Sequence, residues 1–143
     1  MVNPEMKVEI REGTDCLDRE KVYAWLSNAY WAKTRSTATI EKSFQSSLCF
    51  SAWIEETMVG FARVVTDRTT FAWLCDVIVC PEHRGQGIGK ELVARIMEDP
   101  ELLTVRWMLG TRDAHSLYAR FGFENSVEPD RFMIKNFAPR PPR

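Results

Sequence analysis

Arg84-Gly85-Gln86-Gly87-Ile88-Gly89 joins an apolar, β-branched run at 73–79 to a segment, 90–97, whose apolar residues recur at helical spacing. The glycines therefore open a helix. A helix N-terminus presents unpaired N–H groups and partial positive charge, and residues without a Cβ let an anion approach that backbone closely. Arg84 can add a charge-assisted contact. The same glycines also suit a turn that only connects strand to helix, and the turn alone leaves both readings open. Two other phosphate patterns fit poorly. A Walker A loop needs Ser or Thr after its Lys, and Glu91 follows Lys90. A dinucleotide fingerprint belongs to the first strand–helix unit, whereas this turn lies past the middle of the chain.

Working towards the N-terminus, 71–79 reads as a strand, preceded by strands at 58–66 and 48–54 that Glu55, Glu56 and Thr57 connect as a hairpin. Before the hairpin lie a short strand at 7–11, a helix over 18–30 with Val22, Trp25, Leu26 and Ala29 on one face, and a second helix capped by Ser36 or Thr37. Towards the C-terminus, the spacing predicts a helix over 87–98 closed by Pro100, a strand at 103–109, a helix at 113–120 stopped by Gly122, and a last strand at 131–135. The order is βααβββαβαβ, an α/β (α+β) class with a mixed, mostly antiparallel central sheet and helices on both faces. Residues 1–137 read as one domain and the proline-rich 138–143 as a flexible tail.

A chain of 143 residues can bury a full core, and its 19 basic and 20 acidic residues leave no electrostatic footprint for nucleic acid. No apolar run is long enough to span a membrane, and the first residues lack the pattern of a secretory signal, so the expectation is a cytoplasmic protein with a small-molecule partner. Cys16, Cys49, Cys75 and Cys80 lack metal-ligand spacing and read as free thiols, with no metal expected. Cys80, just before the glycine turn, is the one where a helix terminus can lower a thiol pKa.

Placed after the fourth strand, Arg84, Gly87 and Gly89 fill the fixed positions of the pattern Arg/Gln-x-x-Gly-x-Gly/Ala, and Ala114, Leu117, Tyr118, Gly122 and Phe123 fill a second pattern downstream. Together they resemble the acyl-CoA site of the GNAT superfamily of N-acyltransferases. The resemblance covers about 7–135 and implies acetyl-CoA as donor, its pyrophosphate held by the amides of Gly85, Gln86, Gly87, Ile88 and Gly89 with Arg84 nearby. It also implies that the pantetheine arm pairs with the backbone of Val77, Ile78 and Val79, and that Ala114 lies beside it. Thr111 stands where many members carry an Asn that hydrogen-bonds the pantetheine, and Thr supplies only a shorter hydroxyl there.

By the same resemblance Tyr118 is the general acid that protonates the leaving thiolate, and a backbone amide near Val77 stabilises the oxyanion. Asp76 interrupts the apolar run Leu74 to Val79, which suggests a base, a counter-ion for a cationic substrate, or a structural acceptor. The acceptor side points to Tyr30, Trp31 and Arg35. Trp31 can stack on an acceptor and Arg35 can bind a carboxylate, or both can simply pack the helix end. His115 shares a helix face with Tyr118, and His83 reads as a surface residue on the turn. The implied reaction is direct transfer of an acetyl group to a primary amine of a small molecule. A protein α-amine or lysine as acceptor, or a CoA-binding module without catalysis, are the alternatives. Many members are dimers, so a homodimer is the implied assembly.

Overall fold

The structure, a computed structural model, describes residues 7–135, so the expected tail at 138–143 lies outside the described residues. Among the described residues nine helices and strands follow one another: β1 (Val8–Glu12), α1 (Arg19–Ser27), α2 (Thr37–Phe44), β2 (Ser47–Ile54), β3 (Thr57–Thr66), β4 (Phe71–Val79), α3 (Ile88–Met97), β5 (Arg106–Leu109) and α4 (His115–Ala119). The strands form one five-stranded sheet in the order β1-β2-β3-β4-β5. The first four are antiparallel neighbours, and β5 runs parallel to β4. Among the described residues no helix is long and apolar enough to cross a membrane.

Each face of the sheet carries its own core. On one, Ile88, Leu92, Val93 and Ile96 of α3 pack on Phe50, Ala52, Ala62, Val64 and Leu74. On the other, Val22 and Leu26 of α1 and Ile40 and Phe44 of α2 pack on Cys49, Phe61 and Ile78. Gly60 sets how closely α3 approaches: a Cβ there would stand 3.0 Å from Leu92 Cδ1, 3.2 Å from Ile88 Cγ2 and 3.3 Å from the Ala52 methyl. Gly60→Val is accordingly expected to cost about 1–3 kcal/mol by overpacking, read as a lower urea midpoint. A midpoint equal to that of the wild type would show that α3 can move away freely.

Three sequence expectations need correction. The first helix stops at Ser27 and does not reach residue 30, because Ser27 Oγ and Asn28 Nδ2 both donate to the Ala24 carbonyl at 2.8 and 3.0 Å. From there the chain winds through successive three-residue turns, Ala29 N to Leu26 O, Ala32 N to Ala29 O and Arg35 N to Ala32 O, with both alanines buried. Strand β5 starts at Arg106 and not at 103, since Asp99 accepts from the Glu101 amide and holds a 3₁₀ turn over Pro100–Leu102. The last strand does not form: a 3₁₀ turn occupies Pro129–Arg131, and 132–135 follow as coil with Met133 95% and Ile134 87% exposed. A ladder needs a partner, and β5 offers an edge of only four residues.

One irregularity shapes everything at the functional end. In the β3–β4 ladder Arg63 faces Asp76 while Val64 faces Leu74, so Cys75 is an extra residue on β4. Such a bulge reverses which face each later side chain meets. Ala72 and Leu74 point to the α3 side, whereas beyond the bulge Ile78 packs with α1 and α2. Asp76 is carried into the interior beside Arg63.

Candidate active site

Parallel pairing of β4 with β5 runs from Phe71↔Arg106 to Leu74↔Leu109 and goes no further. Beyond that point β4 continues to Val79 while the other chain turns away through Gly110 and Thr111. The split opens a cavity of about 660 Å³ between β4, the 28–35 turns and the loop leading to α4. Tyr30, Trp31, Arg35, Cys75, Val77, Thr111, Ala114 and Tyr118 all line it.

A second hollow of about 390 Å³ lies at the N-terminus of α3, lined by Val79, His83, Arg84, Gly85, Gly87, Gly89 and Lys90 together with Arg120, the residue that follows α4. Gly87 is the N-cap of α3 at φ +83°, and no side chain caps the helix. Gly85 has φ +79°. Both conformations are costly for any residue with a Cβ, so the turn depends on glycine at these two positions. Three basic side chains, Arg84, Lys90 and Arg120, therefore line the hollow at a helix N-terminus, a combination that suits a phosphate group. Among the described residues, buried His83 Nδ1 and Gln86 Oε1 have no hydrogen-bond partner. His83 is thus half-buried in the turn and not the plain surface residue expected. The Arg84 guanidinium is tied back to the strand, its Nε donating to Val79 O at 3.3 Å. Ile88 is a core residue, so only its backbone is available to a ligand.

At the split itself, Tyr118 is half-buried, its ring edge-on to Phe123 with centroids 6.0 Å apart. Burial, aided by neighbouring Tyr30 and Asp113, pushes its pKa up to about 12, so the hydroxyl keeps its proton across the physiological range. Thr111 Oγ1 accepts from the Ala114 amide at 3.0 Å, which fixes the approach to α4 and leaves the hydroxyl hydrogen to be donated. His115 is exposed. Tyr30 Oη accepts from the Arg112 amide at 3.2 Å, and the Arg112 guanidinium carbon lies 3.8 Å from its ring centroid. The 28–35 turns and the β5–α4 loop are clasped together across the cavity by this pair.

Asp76 is 1% exposed and is the hub of a buried network. Its Oδ1 accepts from Trp31 Nε1 at 2.6 Å and from Arg35 Nη1 at 3.1 Å; its Oδ2 accepts from the same Arg35 nitrogen at 3.1 Å and from Arg63 Nε at 2.8 Å. Arg63 Nη1 also donates to Ser47 Oγ at 3.0 Å. Sequence reasoning singled out Asp76, Trp31 and Arg35 separately and missed Arg63, although a charged residue in the run 58–65 was as out of pattern as Asp76. Side chains of Ile78 and Val79 divide between the two faces, so a ligand lying along β4 would meet backbone there.

Three of the thiols, Cys49, Cys75 and Cys80, are not activated. Burial pushes Cys49 up to about 12 and raises Cys75; Cys80 is raised by burial and by Glu82, whose carboxylate accepts from the thiol at 2.7 Å. All three stay protonated near neutrality. Cys80→Ser is expected to leave unchanged any turnover of acetyl-CoA, the donor that the sequence resemblance implies; a collapse in that turnover would point to a nucleophilic cysteine. Among the described residues no group of His, Cys, Asp or Glu is arranged to hold a metal ion.

A mixed sheet split at β4–β5, with a basic glycine turn at the mouth of the split, defines the class of fold, and comparison with known proteins gives the family. Residues 45–125, more than half of the chain, match the family model described as "Acetyltransferase (GNAT) domain". The chain belongs to the GNAT family. A candidate acetyltransferase of this family from Xanthomonas campestris pv. campestris shares 38% identity with TM-score 0.87, the match covering 92% of this chain and 94% of that one. A candidate acetyltransferase of Gibberella zeae is 30% identical over 113 residues, 64% of this chain and 63% of its own length. This chain thus spans somewhat under two thirds of that relative. A GNAT acetyltransferase from Elizabethkingia anophelis with acetyl-CoA bound has the same fold at 17% identity and TM-score 0.65, covering 92% of this chain and 89% of that one.

Proposed function

We propose that this protein transfers the acetyl group of acetyl-CoA to a primary amine of a small molecule by direct attack. The observation that carries the reading is that the two hollows lie next to each other along β4, Val79 lining the basic one and Val77 the larger of the two. A donor with a pyrophosphate at one end and a thioester at the other spans such a site. Residues 85–89 supply amides to the pyrophosphate, and Arg84, Lys90 and Arg120 supply charge. The unpaired edge of β4 beyond Leu74 offers backbone groups to the pantetheine arm, and Thr111 a hydroxyl in place of the Asn amide.

Chemically, the Val77 amide is the donor we assign to the thioester oxygen as it gains charge. The amine attacks the thioester carbon, the C–S bond breaks, and Tyr118 gives its proton to the departing sulfur. The acylated nitrogen, made acidic by the carbonyl, then loses a proton that restores the tyrosine hydroxyl. We assign Asp76 to positioning and not to base catalysis, since both oxygens already accept from guanidinium groups and water does not reach them. The amine loses its proton to solvent before attack. A panel of small amines, peptides and lysine-bearing proteins, followed by free-CoA release, tests this reading. Turnover with small amines is expected. Turnover with protein acceptors alone would overturn the small-molecule assignment.

A further inference from the structure

The network around Asp76 is unbalanced in charge. One buried carboxylate serves two guanidinium groups, and they are not held alike. Arg63 is 10% exposed at its side chain, pairs through Nε at 2.8 Å and is held again by Ser47. Arg35 is 27% exposed, shares a single nitrogen between the two oxygens, and lines the cavity. Arg63 thus accounts for the charge of Asp76, and Arg35 brings an uncompensated positive charge to the cavity wall. Arg112, stacked on Tyr30, lines the same cavity as a second cation. Asp113 is the one acid lining the cavity among the described residues. In the same cavity, the indoles of Trp31 and Trp73 supply flat apolar surface.

From this arrangement we propose that the acceptor is an aminocarboxylate whose carboxylate is bound by Arg35, and that Asp76 is the positioning residue that fixes Arg35 and Trp31 for it. The inference rests on the acetyltransferase reading above and specifies its substrate class. A guanidinium in a partly desolvated cavity binds a planar carboxylate through parallel N–H groups and repels a diamine. The same cations disfavour the ammonium form of the acceptor and so help supply the free amine without a base.

The test uses matched acceptors: α-, β- and γ-amino acids with and without an aryl group, each beside its carboxamide, with linear diamines as the cationic comparison. With wild-type protein and saturating acetyl-CoA, kcat/KM for the best aminocarboxylate should exceed that of its carboxamide about tenfold or more, the worth of one charge-assisted pair. Arg35→Gln should bring that ratio close to one, and Arg35→Lys should retain part of it. Equal use of carboxylate and carboxamide, a preference for diamines, or a ratio unmoved in a folded Arg35→Gln would overturn the proposal. Acetyl-CoA titration of the wild type separates the two levels. Binding and turnover without carboxylate preference refute the acceptor class alone, whereas failure to bind acetyl-CoA refutes the acetyltransferase reading and this proposal with it.

Discussion

Replacing Asp76 by alanine is expected to lower the stability of the fold by about 3–5 kcal/mol, the usual consequence of removing one partner from a buried ion pair. Arg63 would keep only Ser47 as partner while 10% exposed, and Trp31 and Arg35 would lose the acceptor that ties the 28–35 turns to β4. Against a typical total of about 5–15 kcal/mol, that loss is large. Urea unfolding followed by tryptophan fluorescence measures it. Asp76→Asn keeps the shape and an acceptor for the Trp31 indole, and should fall between wild type and alanine. A loss below about 1 kcal/mol for Asp76→Ala would mean that the network contributes little net, as some buried pairs do when water relaxes in.

Tyr118→Phe should lower kcat about a hundredfold or more while the affinity for acetyl-CoA stays nearly constant, because the ring, its burial and its packing on Phe123 are retained and only the proton donor is lost. The raised pKa of about 12 adds a signature in pH. A hydroxyl that ionises only near there keeps its proton through the range in which an exposed tyrosine would lose it, so turnover should show no tyrosine-dependent decline below about pH 10. Stability follows the same sign. The folded pKa lies above the unfolded value, so the contribution of the neutral, buried hydroxyl is complete below about pH 10 and is lost as pH rises towards 12. A Phe variant with undiminished kcat would remove Tyr118 from the chemistry.

How much of this was legible in the chain depended on whether the signal was local. The glycine turn announced itself because the φ values of Gly85 and Gly87 are a local demand, met by residues without a Cβ. Strand β4 matched its expected bounds, 71–79, because the run is apolar throughout apart from Asp76, including the exposed Phe71 and Trp73. The bulge at Cys75 was not legible: inserting one residue changes neither composition nor apolar content, only the register against β3. For the same reason Asp76 was visible as an anomaly while its partner was not, since the pairing with Arg63 is set by that register. Residues 131–135 carry a strand-like pattern, but a pattern supplies no edge to pair with. The two-motif resemblance joined Arg84–Gly89 to Tyr118, which no periodicity argument connects; the cavity brings the acceptor-side residues to the same tyrosine.

Whether the α3 turn is the donor's phosphate site is read by titrating acetyl-CoA into the wild type and into Gly87→Glu by calorimetry. The substitution places a carboxylate, and a Cβ at φ +83°, where the pyrophosphate amides would be. With circular dichroism verifying that the variant is folded, saturable one-to-one binding by the wild type and binding weakened by about tenfold or more in the variant are expected. Equal affinity in the folded variant, or no binding by the wild type, would contradict that site assignment.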